Sequence, residues 1–298
     1  MLDLRRLRYF MAVASAESFS RAADELHVAQ SAVSRQVGLL ERELGVKLLH
    51  RTTHDVALTD AGRHLLERGE SLARDADALW RDMRAFAAGE RGRVRVGYST
   101  SIGYETAPRL IGVAREALPD VDVTSVVLPS IELPDAVLNG TVDLALARCA
   151  VDAEGLQRSV VRRERLGALV PAGHALAGRE AADVGELRDE PLLLHDPAAN
   201  PRHHALIVQA CRDAGFEPRL VPAATPFDPG YAAIAQGEAV SIVGESARDG
   251  LPAALTWTPL RTAHRVEVSL LVRAGASEPS VGRAVEAMLA EARTLGWL

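Results

Sequence analysis

Between Ser18 and Gly45 the chain has room for little except two short helices and a tight turn. Ser18 offers a side-chain acceptor suited to an N-cap. A helix through Arg21-Ala22-Ala23-Asp24-Glu25-Leu26 can follow it, and His27-Val28-Ala29 is only long enough for a turn. A longer helix then spans about Gln30 to Leu44 and stops at Gly45, the residue that best tolerates left-handed backbone past a helix end. Val33, Val37, Leu40 and Leu44 recur at helical spacing and form its inner face. Gln30, Ser31, Ser34, Arg35 and Gly38 form the outer face near its start. Upstream, Leu4, Leu7, Phe10, Met11 and Ala14 repeat with the same period, which predicts one more helix.

Two helices joined by a three-residue turn make a helix-turn-helix, whose second helix can enter the major groove of DNA. The residues at its start would then face base edges. Gln can pair with adenine, Arg with guanine, and Ser with base or phosphate. The competing reading is an ordinary amphipathic helix whose polar face is merely solvated. The next residues favour DNA. Leu48-Leu49-His50-Arg51 and Val56-Ala57-Leu58-Thr59 alternate like strands around Thr52–Asp55. A hairpin there is a wing that can lie along the phosphates, with Arg51 as its phosphate contact.

Charge does not oppose this. The 298 residues carry a net charge of −6. Residues 1–60 nevertheless hold 8 basic and 8 acidic side chains, so the acidity belongs to the rest of the chain. DNA contact must come from a local face rather than from the bulk field. No run approaches the roughly 18 apolar residues of a membrane span, and the N-terminus lacks the apolar core of a signal peptide. Two cysteines, Cys149 and Cys211, are too few for a disulfide scaffold. The expectation is a cytoplasmic protein with no membrane partner.

Residues 61–89 read as one long helix. Leu65, Gly69, Leu72, Ala76, Leu79, Met83 and Phe86 alternate by four and three, a heptad seam. Such a seam can bury itself on a partner chain, or else pack within its own domain. Dimerisation through Leu65, Leu72, Ala76, Leu79, Met83 and Phe86 suits DNA binding, because two recognition helices can then read two half-sites. Gly89-Glu90-Arg91-Gly92 ends the helix and marks a domain boundary.

The remainder alternates strands and helices, which predicts a parallel α/β sheet. Strands are expected at Val94–Tyr98, Val121–Leu128 and Asp143–Ala147, with helices up to about Leu118 and at Leu133–Asn139. A second set follows near Leu166–Val170, Leu192–His195, Arg202–Ala214, Ala232–Gln236 and Val240–Val243. A late strand, Val266–Val272, and helix, Val281–Leu295, can return to the first lobe. Two lobes result, about 93–165 with 268–298 and about 166–267, joined by crossovers near Leu166–Pro171 and Arg261–Val268.

Ligands of open α/β sheets bind at the carboxyl ends of strands, and between lobes in the cleft. The loop after the first strand offers Ser99, Thr100 and Ser101 near a helix start, a site suited to a carboxylate or phosphate. Ser130, Arg148, Asn200, Arg202, His203, Thr225 and Phe227 are further candidates, and arginines there favour an anionic ligand. The alternatives are plain helix capping for the serines and a solvated surface for Arg148, Arg202 and His203. His195-Asp196 with His203-His204 fits no dependable metal spacing. Nucleotide fingerprints and nucleophile elbows are absent. No cofactor, metal or catalytic residue is expected, so the chain is not expected to be an enzyme. The competing classes are a small-molecule sensor without specific DNA binding and an enzyme built on the α/β lobes.

The chain resembles the LysR-type transcriptional regulators. The resemblance is carried by Leu7-Arg8-Tyr9-Phe10, Phe19-Ser20-Arg21-Ala22-Ala23, Leu26 through Gln36, Leu40-Glu41, Leu44-Gly45, Arg51 and Leu58-Thr59-Asp60-Ala61-Gly62. Its wording is nearest the branch that regulates aromatic-compound degradation. It implies an α/β protein with an N-terminal winged helix-turn-helix (1–60), a linker and dimerisation helix (61–89) and a two-lobed, periplasmic-binding-protein-like effector domain (92–298). It implies that Gln30, Ser31, Ser34 and Arg35 meet double-stranded operator DNA while Arg51 and Thr59 support backbone contacts. It further implies a small-molecule effector, aromatic or short carboxylate, a homodimer assembling into a homotetramer, and RNA polymerase as a partner. Two positions depart from the family. Leu49 stands where Phe is usual. The wing tip reads Thr53-His54-Asp55 where arginines are usual, and Asp55 repels phosphate.

Overall fold

The structure is a computed structural model and describes residues 2–51, 56–150, 152–194, 197–198, 200–222, 231–275 and 278–298. The chain divides into two compact units, Met1–Arg84 and Ala85–Leu298.

In the first unit, α1 (Leu4–Ala16) opens at Asp3, whose carboxylate accepts the backbone N–H groups of Arg5 and Arg6. Ser18 caps α2 (Phe19–Glu25) by accepting from the Arg21 N–H. His27, at φ 53°, makes the left-handed turn into α3 (Gln30–Leu44), which ends at Gly45 with φ 71°. Leu7, Phe10, Val13, Val33, Val37 and Leu40 are fully buried and hold the three helices together. β1 (Leu49–Arg51) pairs antiparallel with β2 (Val56–Leu58), Leu49 opposite Leu58. Leu49, the position where the family has Phe, lies buried in this core. α4 (Asp60–Ala87) follows at once. It approaches closely because Gly62 and Gly69 lack side chains: a Cβ would meet the Leu48 carbonyl oxygen at 2.1 Å and a Leu7 methyl at 2.8 Å, respectively.

The second unit begins with β3 (Gly92–Tyr98), α5 (Thr106–Ala117), β4 (Val121–Val127), α6 (Leu133–Leu138) and β5 (Leu144–Arg148). β6 (Leu156–Pro171) is followed by β7 (Ala182–Asp183), β8 (Pro191–Leu194), α7 (Pro201–Asp213), β9 (Arg219–Pro222), α8 (Tyr231–Ala235) and β10 (Ser241–Gly244). β11 (Leu255–Arg261), β12 (Arg265–Arg273) and α9 (Pro279–Thr294) complete it. The sheet runs β4-β3-β5-β12-β6-β11-β7, with β10 also on β6.

The expectation of a parallel sheet is corrected here. β3, β4 and β5 are parallel, as are β8 with β9 and β7 with β11. β12 runs antiparallel to both β5 and β6, and β10 and β11 run antiparallel to β6. β11 and then β12 run in one direction along β6, from Leu255 opposite Pro171 to Arg273 opposite Leu156, so both are antiparallel to it.

Two cores define two lobes. One gathers Val94, Val96, Leu110, Leu144, Leu146, Val161, Val268 and Met288. The other gathers Leu166, Ala168, Leu192, Ile207, Cys211, Ile242 and Val266. β6 serves both: its first part pairs with β12, and Leu166–Pro171 pairs with β10 and β11. The chain returns through the loop between β11 and β12.

Candidate nucleic-acid interface and interlobe site

The start of α3 is open to solvent. Its N-cap, Ala29, supplies no side-chain acceptor, although its carbonyl accepts the Ala32 N–H at 2.9 Å. Gln30, Ser31 and Arg35 are exposed and Ser34 is half-buried, while Val33 and Val37 on the opposite side are buried completely. Packing therefore fixes which face of the helix is presented. Positive potential at a helix start favours phosphate.

The wing base is tied to this helix by a residue that the sequence reading quoted only as part of a motif. Glu41, on α3, is 4% exposed, and its Oε1 accepts the backbone N–H groups of Leu48 at 3.0 Å and Leu49 at 3.3 Å. Its Oε2 accepts from Lys47 Nζ at 3.0 Å. Burial pushes this carboxyl up, but the two N–H bonds and Lys47 outweigh burial and hold it below its ordinary range.

Arg51 is the last residue of β1, opposite Val56. Thr59 is occupied locally: its hydroxyl donates to the Lys47 carbonyl at 2.7 Å and accepts from the Gly62 N–H at 2.9 Å, which caps α4. The expected wing tip Thr53-His54-Asp55 lies outside the described residues.

On α4 the seam divides. Leu65 is half-buried in the core of its own domain and Gly69 rests on Leu7. Leu65, one of the expected dimerisation residues, thus packs partly on the core of its own domain. Leu72, Leu79, Met83 and Phe86 are exposed, and Ala76 is half-buried. Trp80, 68% exposed, belongs to the same apolar surface and escaped the heptad reading because it sits one residue off the register.

Between the lobes, Asn200 is the meeting point. It caps α7 by accepting the His203 N–H at 3.1 Å. Its Nδ2 donates across to Ser130 Oγ at 3.4 Å and to the Arg148 carbonyl at 3.5 Å, both long contacts. Ser130, Arg148, Asn200 and His203 are thus brought together from loops far apart in sequence. Ser99 and Ser101 lie nearby in the fold, after β3, with their hydroxyls 3.3 Å apart. Ser99 is buried and Thr100 exposed. The expected placement at the start of the following helix is corrected: Ser99 opens a short 3-10 turn, Thr100–Ile102, and α5 begins only at Thr106.

Arg148 is not a solvated surface residue, and its Nε is buried without a hydrogen-bond partner among the described residues. Its side chain is 4% exposed and that of Glu164 is 0% exposed. Arg148 Nη2 donates to Glu164 Oε2 at 3.2 Å and to Ser246 Oγ at 3.1 Å, and the Ser246 hydroxyl reaches Glu164 Oε2 at 3.0 Å. Gly244 makes room: a Cβ there would lie 2.0 Å from Glu164 Oε2. Arg202 is exposed on the first turn of α7. Thr225, Phe227, His195 and Asp196 lie outside the described residues. Burial pushes the thiols of Cys149 and Cys211 up to about 11, so neither is a ready nucleophile. Among the described residues no group of three His, Cys, Asp or Glu is placed to hold a metal, and no helix is long and apolar enough to cross a membrane.

A winged helix-turn-helix followed by a two-lobed α/β module defines a DNA-binding transcription regulator with a ligand-binding domain. Residues 4–63 match the bacterial regulatory helix-turn-helix protein, lysR family, and residues 87–294 match the LysR substrate binding domain. The chain belongs to the LysR family. It is 29% identical over 261 residues to the HTH-type transcriptional regulator BenM of Acinetobacter baylyi, covering 87% of this chain and 86% of that one. It superposes on the crystal structure of CbnR, a LysR family transcriptional regulator, with a TM-score of 0.83 and 27% identity, over 96% of this chain and 100% of that one. It also superposes on full-length CbnR complexed with target DNA, with a TM-score of 0.78 and 27% identity over 98% and 100%.

Proposed function

We propose that this regulator reads its operator with Gln30, Ser31, Ser34 and Arg35, in a complex stabilised by Arg51 on the phosphates and by Thr59 at the wing base. The observation that carries this reading is the exposed polar face of α3 laid over a completely buried Val33, Val37 and Leu40 seam. The CbnR complex with target DNA supports it by analogy of fold. The domain limits that fit are 1–60 for DNA, 61–89 for the linker and 92–298 for the effector module. Exposed Leu72, Leu79, Trp80 and Met83 on α4 suit a homodimer and, beyond it, a homotetramer. Activity then belongs in the cytoplasm, on the operator and beside RNA polymerase.

The interlobe site takes a small carboxylate, aromatic or short-chain. Arg148 Nη2 is held by Glu164 and Ser246, so recognition falls chiefly to the neutral donors Ser99, Thr100, Ser101, Ser130 and Asn200, with His203 and the exposed Arg202 on α7. A relative named as a probable cat1 operon transcriptional activator, of Acinetobacter lwoffii, does not fix the compound for this chain. The ligand acts by preferring one lobe arrangement, and it shifts DNA binding only by its differential affinity for the two arrangements. The test is a footprint on the DNA upstream of the protein's own gene at fixed salt, with and without benzoate and succinate. A protected site that changes length with one compound supports both halves. A folded chain that protects nothing there or at other candidate promoters overturns the operator reading.

A further inference from the structure

Helix α9 touches two places that no local packing need explains. At its start, Pro279 and Ser280 press on the turn that ends α4. Gly89 has φ 68° and a Cβ there would lie 2.5 Å from the Pro279 carbonyl carbon. Gly92 has φ 137° and its Cβ would lie 3.3 Å from Ser280 Oγ. The turn itself is a Schellman motif: Gly89 N–H donates to the Phe86 carbonyl at 3.0 Å and Glu90 N–H to that of Ala85 at 2.8 Å. Two left-handed glycines thus bracket Glu90 and Arg91 against the first turn of α9.

At the other end a second Schellman motif holds Trp297. Gly296 N–H donates to the Arg293 carbonyl at 3.0 Å and Trp297 N–H to that of Ala292 at 3.0 Å. The indole lies under the Arg162 guanidinium, 4.2 Å from ring centroid to Cζ. The Trp297 carbonyl accepts the Arg163 N–H at 2.9 Å. Arg162, 8% exposed, donates Nη1 to Glu105 Oε2 at 2.6 Å and to Thr106 Oγ1 at 3.0 Å, and its Nε lies 3.7 Å from Glu164. Glu164 is the carboxylate that neutralises Arg148 beside Asn200. It stands on β6 just before that strand passes from one lobe to the other.

We infer that α9 is a rigid strut coupling the interlobe charge cluster to the Gly89–Gly92 joint. The helix spans about 24 Å at 1.5 Å per residue. Ala284, Met288 and Ala292 are fully buried along it, so it moves as a body rather than bending. A shift of Glu164 and Arg162 displaces Trp297, and the far end of the helix transfers that displacement to the two glycines. The regulatory meaning of the strut rests on the effector reading above; its existence does not.

The experiment therefore needs no ligand. Hydrogen exchange is followed on the full chain at the Gly89 and Glu90 amides for wild type, Trp297→Leu and Arg162→Met. The amides of Leu193 and Val240, bonded within the other lobe at 2.8 and 2.9 Å, report global opening. Coupling predicts exchange at Gly89 and Glu90 faster by on the order of tenfold in both variants, with Leu193 and Val240 unchanged. Unchanged exchange at the joint in both variants overturns the inference. So does a rise there in both that merely matches the rise at Leu193 and Val240. The footprint test above can fail while this one succeeds, so the two readings are separable.

Discussion

Glu41 Oε1 accepts the Leu48 N–H at 3.0 Å, and through that bond the recognition helix holds the base of the wing. Glu41→Gln keeps the shape but weakens a charge-assisted acceptor and loses the pairing with Lys47. A buried N–H left poorly satisfied costs about 1–3 kcal/mol. The chain should unfold at lower denaturant concentration, with operator affinity falling because the wing is no longer set against α3. Equal midpoints for wild type and variant would refute the clamp.

The same residue sets a pH dependence. Its folded pKa lies below the ordinary 4.5. The stability it contributes is therefore complete above that ordinary value and disappears as pH falls through the folded one. Wild type should lose more stability between pH 5 and acid than Glu41→Gln does, which a denaturant series at stepped pH will show.

How much of this was legible in the sequence follows from range. The helix-turn-helix was readable because its period, its Ser18 cap and its Gly45 stop all lie within one short stretch. The Glu41 clamp was not, since nothing local says that β1 folds back over α3. The Arg148 pairing was hidden for the same reason: its partner Glu164 is 16 residues away and Ser246 is 98 away. Asn200 and Ser130 are 70 apart. Leu65 obeys the same heptad as Leu72, and only the placement of Leu7 against Gly69 shows that the first serves its own core.

Arg35→Ala tests the reading of bases. Arg35 is exposed and makes no ion pair among the described residues, so its removal should leave folding untouched. Loss of one good base contact costs about 1–3 kcal/mol, or about 5- to 150-fold in operator affinity. Discrimination should relax at one base-pair position, measured by competition with operators mutated singly. Undiminished affinity and discrimination would remove Arg35 from the interface.

The divided seam on α4 gives opposite outcomes at two leucines. Leu79 is 61% exposed, so Leu79→Glu should leave the unfolding midpoint nearly unchanged while shifting the assembly toward monomer in sedimentation. Leu65 is half-buried in the DNA-binding core, so Leu65→Ala should lower stability by about 2 kcal/mol or less, with the assembly intact. If Leu65→Ala dissociates the oligomer and Leu79→Glu does not, the placement of the interface is wrong.

Arg148 and Glu164 test whether the interlobe site recognises anions through neutral donors. Removing one partner of a buried pair strands the other, at about 3–5 kcal/mol. Glu164→Gln therefore should destabilise strongly, while leaving an uncompensated cation at Ser246, on the residue whose backbone carbonyl meets Asn200. If the chain still folds at low temperature, a carboxylate such as benzoate should bind more tightly and raise its melting temperature more than in wild type. Arg148→Met removes the cation instead, leaving Glu164 buried beside Ser246 and near Arg162. It should also destabilise, and the ligand should then bind no worse than the loss of a silent cation implies, within about threefold of wild type. Calorimetric titration of the two variants side by side decides the matter. A collapse of carboxylate binding in Arg148→Met would show that Arg148 contacts the ligand directly and that Glu164 yields it on binding.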